Sequence, residues 1–124
     1  MNPLAASALV ACGGALGALG RFWVAVVLNK VAGTHLPFAT LASNLTGSFL
    51  IGVMAMLIAH RAELAAFVMV GILGGFTTFS TFSLETVRLF QAGRAIDGLV
   101  YAAASAVGCV LAAALGMILG RWVS

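Results

Sequence analysis

Apolar residues run through this chain in long stretches almost free of charge, rather than in the short alternating blocks of a soluble fold. Leu36 to Ala59, Leu64 to Leu84 and Gly98 to Gly120 contain no Asp, Glu, Lys or Arg. Each reaches the roughly 20 residues that a helix needs to cross a bilayer. The first stretch is less clean. Residues from Asn2 to Gly20 are apolar or small, Arg21 interrupts, and Phe22 to Leu28 continue apolar up to Asn29 and Lys30. One helix with Arg21 near its end accounts for that pattern. Four membrane spans are therefore predicted, at about 4–28, 36–59, 64–89 and 98–120, forming a single domain over 1–124. Lipid offers no partners to backbone amides, so the spans must be helices, and no alternation suggests a β-barrel.

Composition sharpens this reading. Of 124 residues, 63% are hydrophobic and 7% charged, and the mean hydropathy is +1.17. Soluble domains carry about a quarter charged residues, so a cytosolic enzyme, a nucleic-acid binder and a disordered tail are excluded. The net charge of +3 comes from scattered single residues, not from a basic patch. Cys12 and Cys109 both sit in apolar sequence, which gives neither a disulfide framework nor a metal cluster. Leu9-Val10-Ala11-Cys12 imitates a lipoprotein cleavage box, yet no basic residue precedes it and the apolar run ahead is short, so no processing is expected. Orientation is weakly specified. Arg61 and Arg121 fall on the side of the termini, while Lys30, Arg88 and Arg94, with Arg21 near that interface, fall on the other. The positive-inside rule needs a clear excess, and this near balance leaves open insertion both ways round.

Small residues recur at helical spacing: Gly13 and Gly17 leading to Arg21, then Asn44, Ser48 and Gly52, then Gly71 and Gly75, then Gly108, Ala112, Gly116 and Gly120. Such faces let helix backbones approach in lipid, and self-association is expected from them. The third span carries Gly74-Gly75-Phe76-Thr77-Thr78-Phe79-Ser80-Thr81-Phe82-Ser83. A glycine pair followed by hydroxyls that compete for backbone hydrogen bonds suggests a helix broken at membrane depth. A continuous helix with its hydroxyls bonded back one turn is the plainer alternative. Broken backbone within a membrane must be buried in protein or line a wet cavity. Phe79 and Phe82, three apart, could offer the positive edges of their rings to an anion. Thr78, Ser80, Thr81 and Ser83 add hydroxyls, and Asn44 adds amide donors from the second span. Tyr101 and Ser105, four apart, could face the same path from the fourth span. Glu85 and Arg88 are spaced to pair with each other. Arg21 could reach the headgroups or raise anion concentration at a pore mouth.

The segments Gly13 to Phe22, Pro37 to Phe49, and Gly74 to Ser83 with Glu85 strongly resemble the CrcB/Fluc family of fluoride channels. Ala39 stands where that family is expected to have Gly. The resemblance implies an all-α integral membrane protein of the cell's inner membrane, an antiparallel, dual-topology homodimer whose third helix is broken mid-membrane. It implies fluoride as the permeant ion, leaving the cytoplasm passively. By motif, Asn44, Phe79, Phe82, Thr78, Ser80, Thr81 and Ser105 would line the pore, and Arg21 would be the vestibule arginine. The main-chain carbonyls of Gly74 and Thr77 would hold a structural sodium ion. Two rivals remain at this stage. A proton-coupled multidrug transporter needs a carboxylate embedded in a span, and Glu85 is predicted at a span end; a purely structural assembly protein would need only the glycine faces.

Overall fold

The computed structural model describes residues 1–33 and 35–124, and every element in them is helical. Helix α1 spans Pro3–Val31, α2 spans Phe38–Leu57, and α6 spans Ala95–Val123. The third span, Ala62–Gln91, is composite. It starts as α3 (Ala62–Ala65), widens into a π-helical segment (Ala66–Leu73), returns to α4 (Gly74–Phe76) and ends as α5 (Phe79–Gln91). Four helical stretches are thus long and apolar enough to cross a membrane. The chain is a multi-pass membrane protein. Leu4, Val31, Ile96, Val110 and Trp122 all stand largely exposed, as expected where the solvent is acyl chain. Observed helix ends overrun or fall short of the predicted spans by a few residues. Asn2 fixes the first start by accepting from the Leu4 N–H, and Gly33 and Gly93 take positive φ (76° each) in the two connections on the side opposite the termini.

Backbone contact organises the bundle into two parallel pairs. Gly13 and Gly71 interlock, with a Cβ at Gly71 falling 2.9 Å from the Gly13 Cα. A Cβ at Gly75 would lie 2.7 Å from the Gly14 carbonyl, and one at Gly17 would lie 2.8 Å from the Phe76 nitrogen. These contacts advance together along both chains, so α1 runs parallel to the first half of the third span. On α2 and α6, a Cβ at Gly52 would lie 3.0 Å from the Met117 nitrogen, one at Gly108 3.1 Å from the Leu45 side chain and one at Gly120 2.8 Å from the Val53 carbonyl, which makes those two helices parallel as well. The small faces predicted to recruit a second molecule are therefore largely used within the chain. The reason is the one that governs lipid generally: helices associate through close backbone packing because burial of apolar area brings no gain.

Polar ties complete the frame. Arg94 donates to Asp97 at 2.9 Å, the one ion pair among the described residues, and through its terminal nitrogen to the His35 carbonyl at 2.7 Å. That couples the α1–α2 connection to the start of α6. Glu85 does not pair with Arg88 as its spacing predicts. Its two oxygens accept instead from Thr40 (3.0 Å) and Tyr101 (2.9 Å), because those hydroxyls approach from α2 and α6 while Arg88 is exposed.

The glycine contacts yield a paired test. Gly17→Ala places a methyl group against the Ile72 carbonyl, whereas Gly14→Ala meets nothing within 4 Å on its own Cβ vector. Overpacking of this kind costs about 1–3 kcal/mol, so thermal melting in detergent is expected to drop for Gly17→Ala and stay near wild type for Gly14→Ala.

Candidate functional site

The backbone leaves the helical region at Thr77 (φ −91°, ψ 157°) and Thr78 (φ −150°, ψ 121°), between α4 and α5. An extended pair inside an apolar span needs substitutes for its lost helical hydrogen bonds. Asn44 supplies two. Its side-chain oxygen accepts from the Thr78 N–H at 2.8 Å, and its side-chain nitrogen donates to the Thr78 carbonyl at 3.0 Å. Thr78 then caps α5: its hydroxyl accepts from the Thr81 N–H at 3.2 Å and donates to the Thr81 hydroxyl at 3.1 Å. Helix resumes at once, so the Ser/Thr-rich stretch beyond Thr78 is α-helical. Ser83 and Thr86 donate back to the carbonyls of Phe79 (2.9 Å) and Phe82 (2.8 Å).

This bonding has a consequence for two carbonyls. In an unbroken helix the Thr78 and Thr81 N–H groups would go to the carbonyls of Gly74 and Thr77, four residues back. Both are diverted, to Asn44 and to the Thr78 hydroxyl. The carbonyls of Gly74 and Thr77 thereby lose their i+4 helical donors. The neighbouring Gly75 carbonyl accepts from the Arg21 Nε at 3.4 Å. Freed carbonyls of this sort are hard oxygen ligands for alkali cations where helices break in membranes.

A cavity of about 440 Å³ opens beside the extended pair. Its walls include Asn44, Gly74, Thr77, Thr78, Phe79, Phe82 and Ser105, so seven of the ten residues proposed from sequence meet in one place. No Asp, Glu, Lys or Arg lines it. Phe79 is 79% exposed, and its ring lies 5.4 Å from that of Phe82, tilted by 60°. Phe82 in turn lies 5.3 Å from Tyr101 at 51°. The three rings step from the cavity toward the Glu85 carboxylate. Ser105 is buried with its hydroxyl unpaired in the protein.

Three predicted residues fall elsewhere. Ser80 and Thr81 lie outside the cavity wall and reach it only through the Thr78 hydroxyl, at 3.5 Å and 3.1 Å. Arg21 is half-buried against Gly75 and does not line the cavity. Asn44, expected as a donor for an ion, spends one N–H and its oxygen on Thr78, which leaves one N–H. The Thr40–Glu85–Tyr101 group was not legible as a unit. Its signal was helical spacing: Thr40 lies one turn from Asn44, Glu85 one turn from Phe82, and Tyr101 one turn from Ser105. Ser48, which shares a face with Asn44 by spacing, also lines the cavity, as do Ile51, Cys109 and Val110, which the sequence did not point to.

The fold and cavity define a small four-span helical membrane protein with an uncharged, hydroxyl- and ring-lined pocket at an interruption in its third span. The family model described as CrcB-like protein, Camphor Resistance (CrcB) matches residues 8–117, and the chain belongs to that family. It is 43% identical over 119 residues to a Ruminiclostridium cellulolyticum protein, an alignment covering 93% of this chain and 92% of the relative. It is 46% identical over 118 residues to a protein of Agrobacterium fabrum, covering 92% and 94%. Each of those relatives bears the name fluoride-specific ion channel FluC. Those names describe ion channels, not enzymes.

Asn44→Ala leaves the Thr78 N–H and carbonyl unpaired, and each such loss costs about 1–3 kcal/mol. A destabilisation of about 2–4 kcal/mol is expected in denaturant titrations, with amide exchange accelerated at residues 77–79. Unchanged exchange there would mean that something other than Asn44 holds the extended pair.

Proposed function

We propose that this chain is a fluoride-selective passive channel that exports cytoplasmic fluoride, working as an antiparallel homodimer of dual-topology subunits in the inner membrane. The observation that carries this reading is the uncharged cavity walled by Asn44, Ser105, Phe79 and Phe82 beside extended Thr77 and Thr78. Fluoride-channel names on relatives that cover nearly the whole chain support it.

The chemistry suits a small, strongly hydrated anion. Dehydrating fluoride requires several donors at short range, and a pore selects by its width and its lining dipoles. The remaining Asn44 N–H and the unpaired Ser105 hydroxyl are such donors. Ring edges at Phe79 and Phe82 add positive potential without a full charge, so the ion is attracted without being trapped. Thr78, Ser80 and Thr81 form a hydroxyl track alongside. Passive flow follows from the absence of a charged group in the wall and from the engagement of both Glu85 oxygens by hydroxyls. Outward flow is the useful direction because the neutral acid enters cells and ionises at higher internal pH.

The carbonyls of Gly74 and Thr77, without those helical donors, fit the sodium ion that the family resemblance implies. In a homodimer, sodium would supply positive charge where these carbonyl dipoles gather. The chain's own part is to hold the two oxygens free, through Asn44 and the Thr78 hydroxyl.

Reconstituted into liposomes, the protein is expected to release fluoride quickly and to exclude chloride. Phe79→Ile and Phe82→Ile should slow fluoride release at least tenfold with oligomeric state unchanged, and replacing sodium by a large organic cation should weaken assembly. Chloride release at the fluoride rate, or cationic dye uptake driven by a proton gradient, would overturn the channel reading.

A further inference from the structure

The end of α4 is an electrostatic problem that the cavity does not solve. Three polar events occur there: the Thr78 N–H turns to Asn44, the Gly74 carbonyl loses that helical donor, and the chain goes extended. The C-terminal end of a helical run carries partial negative charge from such unpaired carbonyls. Cations placed there are stabilising, and more so when partly buried. Among the described residues, the one side chain of another span that donates to a carbonyl of this last turn is Arg21, through Nε to the Gly75 oxygen at 3.4 Å.

Arg21 reaches this place by register. Gly13, Gly17 and Arg21 share one face of α1, and the two glycines press against the π-helical segment and α4. The glycine at position 75 itself abuts the Gly14 carbonyl and the Ala18 nitrogen, at 2.7 Å and 3.3 Å for its virtual Cβ. The same close approach that joins the backbones therefore delivers the guanidinium to the carbonyl one turn further on. A Cβ at Gly20, the residue before Arg21, would lie 3.4 Å from one edge of the Phe76 ring, and a Cβ at Gly47 of α2 would lie 3.3 Å from the other edge. Phe76, the last residue of α4, is thus clasped between two glycines while Arg21 holds the carbonyl just before it.

We propose that Arg21 is a positioning residue: a cationic cap supplied by α1 that stabilises the open end of α4 and so keeps Thr77 and Thr78 extended. This rests on the channel reading only for its flux arm. It differs from an arginine that concentrates anions at a vestibule or anchors in headgroups, since the group it serves is a backbone carbonyl.

The test compares wild type, Arg21→Lys and Arg21→Gln in the full-length protein in liposomes, with two readouts. Amide exchange by mass spectrometry is expected to rise at least tenfold over residues 74–79 in Arg21→Gln, with α2 and α6 unchanged, and to be largely restored in Arg21→Lys, which can still donate to a carbonyl. Fluoride release measured across fluoride concentration is expected to lose its maximum rate in Arg21→Gln while half-saturation stays put. An anion-gathering arginine would do the reverse: release would recover at high fluoride or high salt, and exchange at 74–79 would match wild type. That result overturns the proposal. If wild-type protein releases no fluoride, the channel reading fails, and the exchange readout alone still decides the cap.

Discussion

The side-chain amide of Asn44 is the group on which the third span depends. It mimics a neighbouring strand, accepting from one backbone N–H and donating to one carbonyl of the same residue, Thr78. An extended residue in an apolar span would otherwise leave both groups unpaired, at a cost comparable to a large share of a small protein's stability. With Thr78 pinned, its hydroxyl is free to start α5, and the helix restarts at Phe79. One amide therefore holds both the interruption and the resumption.

Around that point the bundle is rigid where backbones touch and open where the cavity lies. Beside the pairs of α1 with the first half of the third span and of α2 with α6, α5 is held by packing of Phe82, Leu89 and Phe90 and by polar ties: Thr40 and Tyr101 to Glu85, and Asn44 at its start. The ring steps from Phe79 through Phe82 to Tyr101 run along α5 toward that carboxylate. Rigid pairs on either side of a polar-tied half-helix provide a fixed frame for the side chains that face the cavity. They also mean that the glycine faces are not spare surface: a second molecule would have to meet other parts of these helices.

Much of this was legible in the sequence because lipid enforces simple rules. Charge-free runs of sufficient length located all four spans, and the spacing of Gly13, Gly17 and Gly75 identified faces that do make close contact. Residue chemistry singled out Asn44, Phe79, Phe82 and Ser105, which the fold brings to one cavity. What escaped was long-range pairing. Spacing within one helix assigned Glu85 to Arg88, but its partners come from α2 and α6, and no local pattern announces a hydroxyl arriving from another helix. Arg21 was ambiguous for the same reason, since its acceptor is a backbone carbonyl on a different span. The Ser/Thr run could not reveal how short the extended stretch is, because one capping hydroxyl at Thr78 decides it. The π-helical turns at Ala66–Leu73 gave no signal at all.

Those wide turns fix the phase of everything after them. An α-helix rotates about 100° per residue, whereas a π-helix, with its i→i+5 bonds, takes more residues to complete each circle. The segment thus sets the angle at which Gly75 meets α1 and Thr78 meets Asn44. Shortening the run by one residue, even by removing an inert valine, would turn the downstream half toward the wrong neighbours while leaving its hydropathy intact. The span's length is therefore constrained by rotation as well as by the thickness of the membrane it crosses.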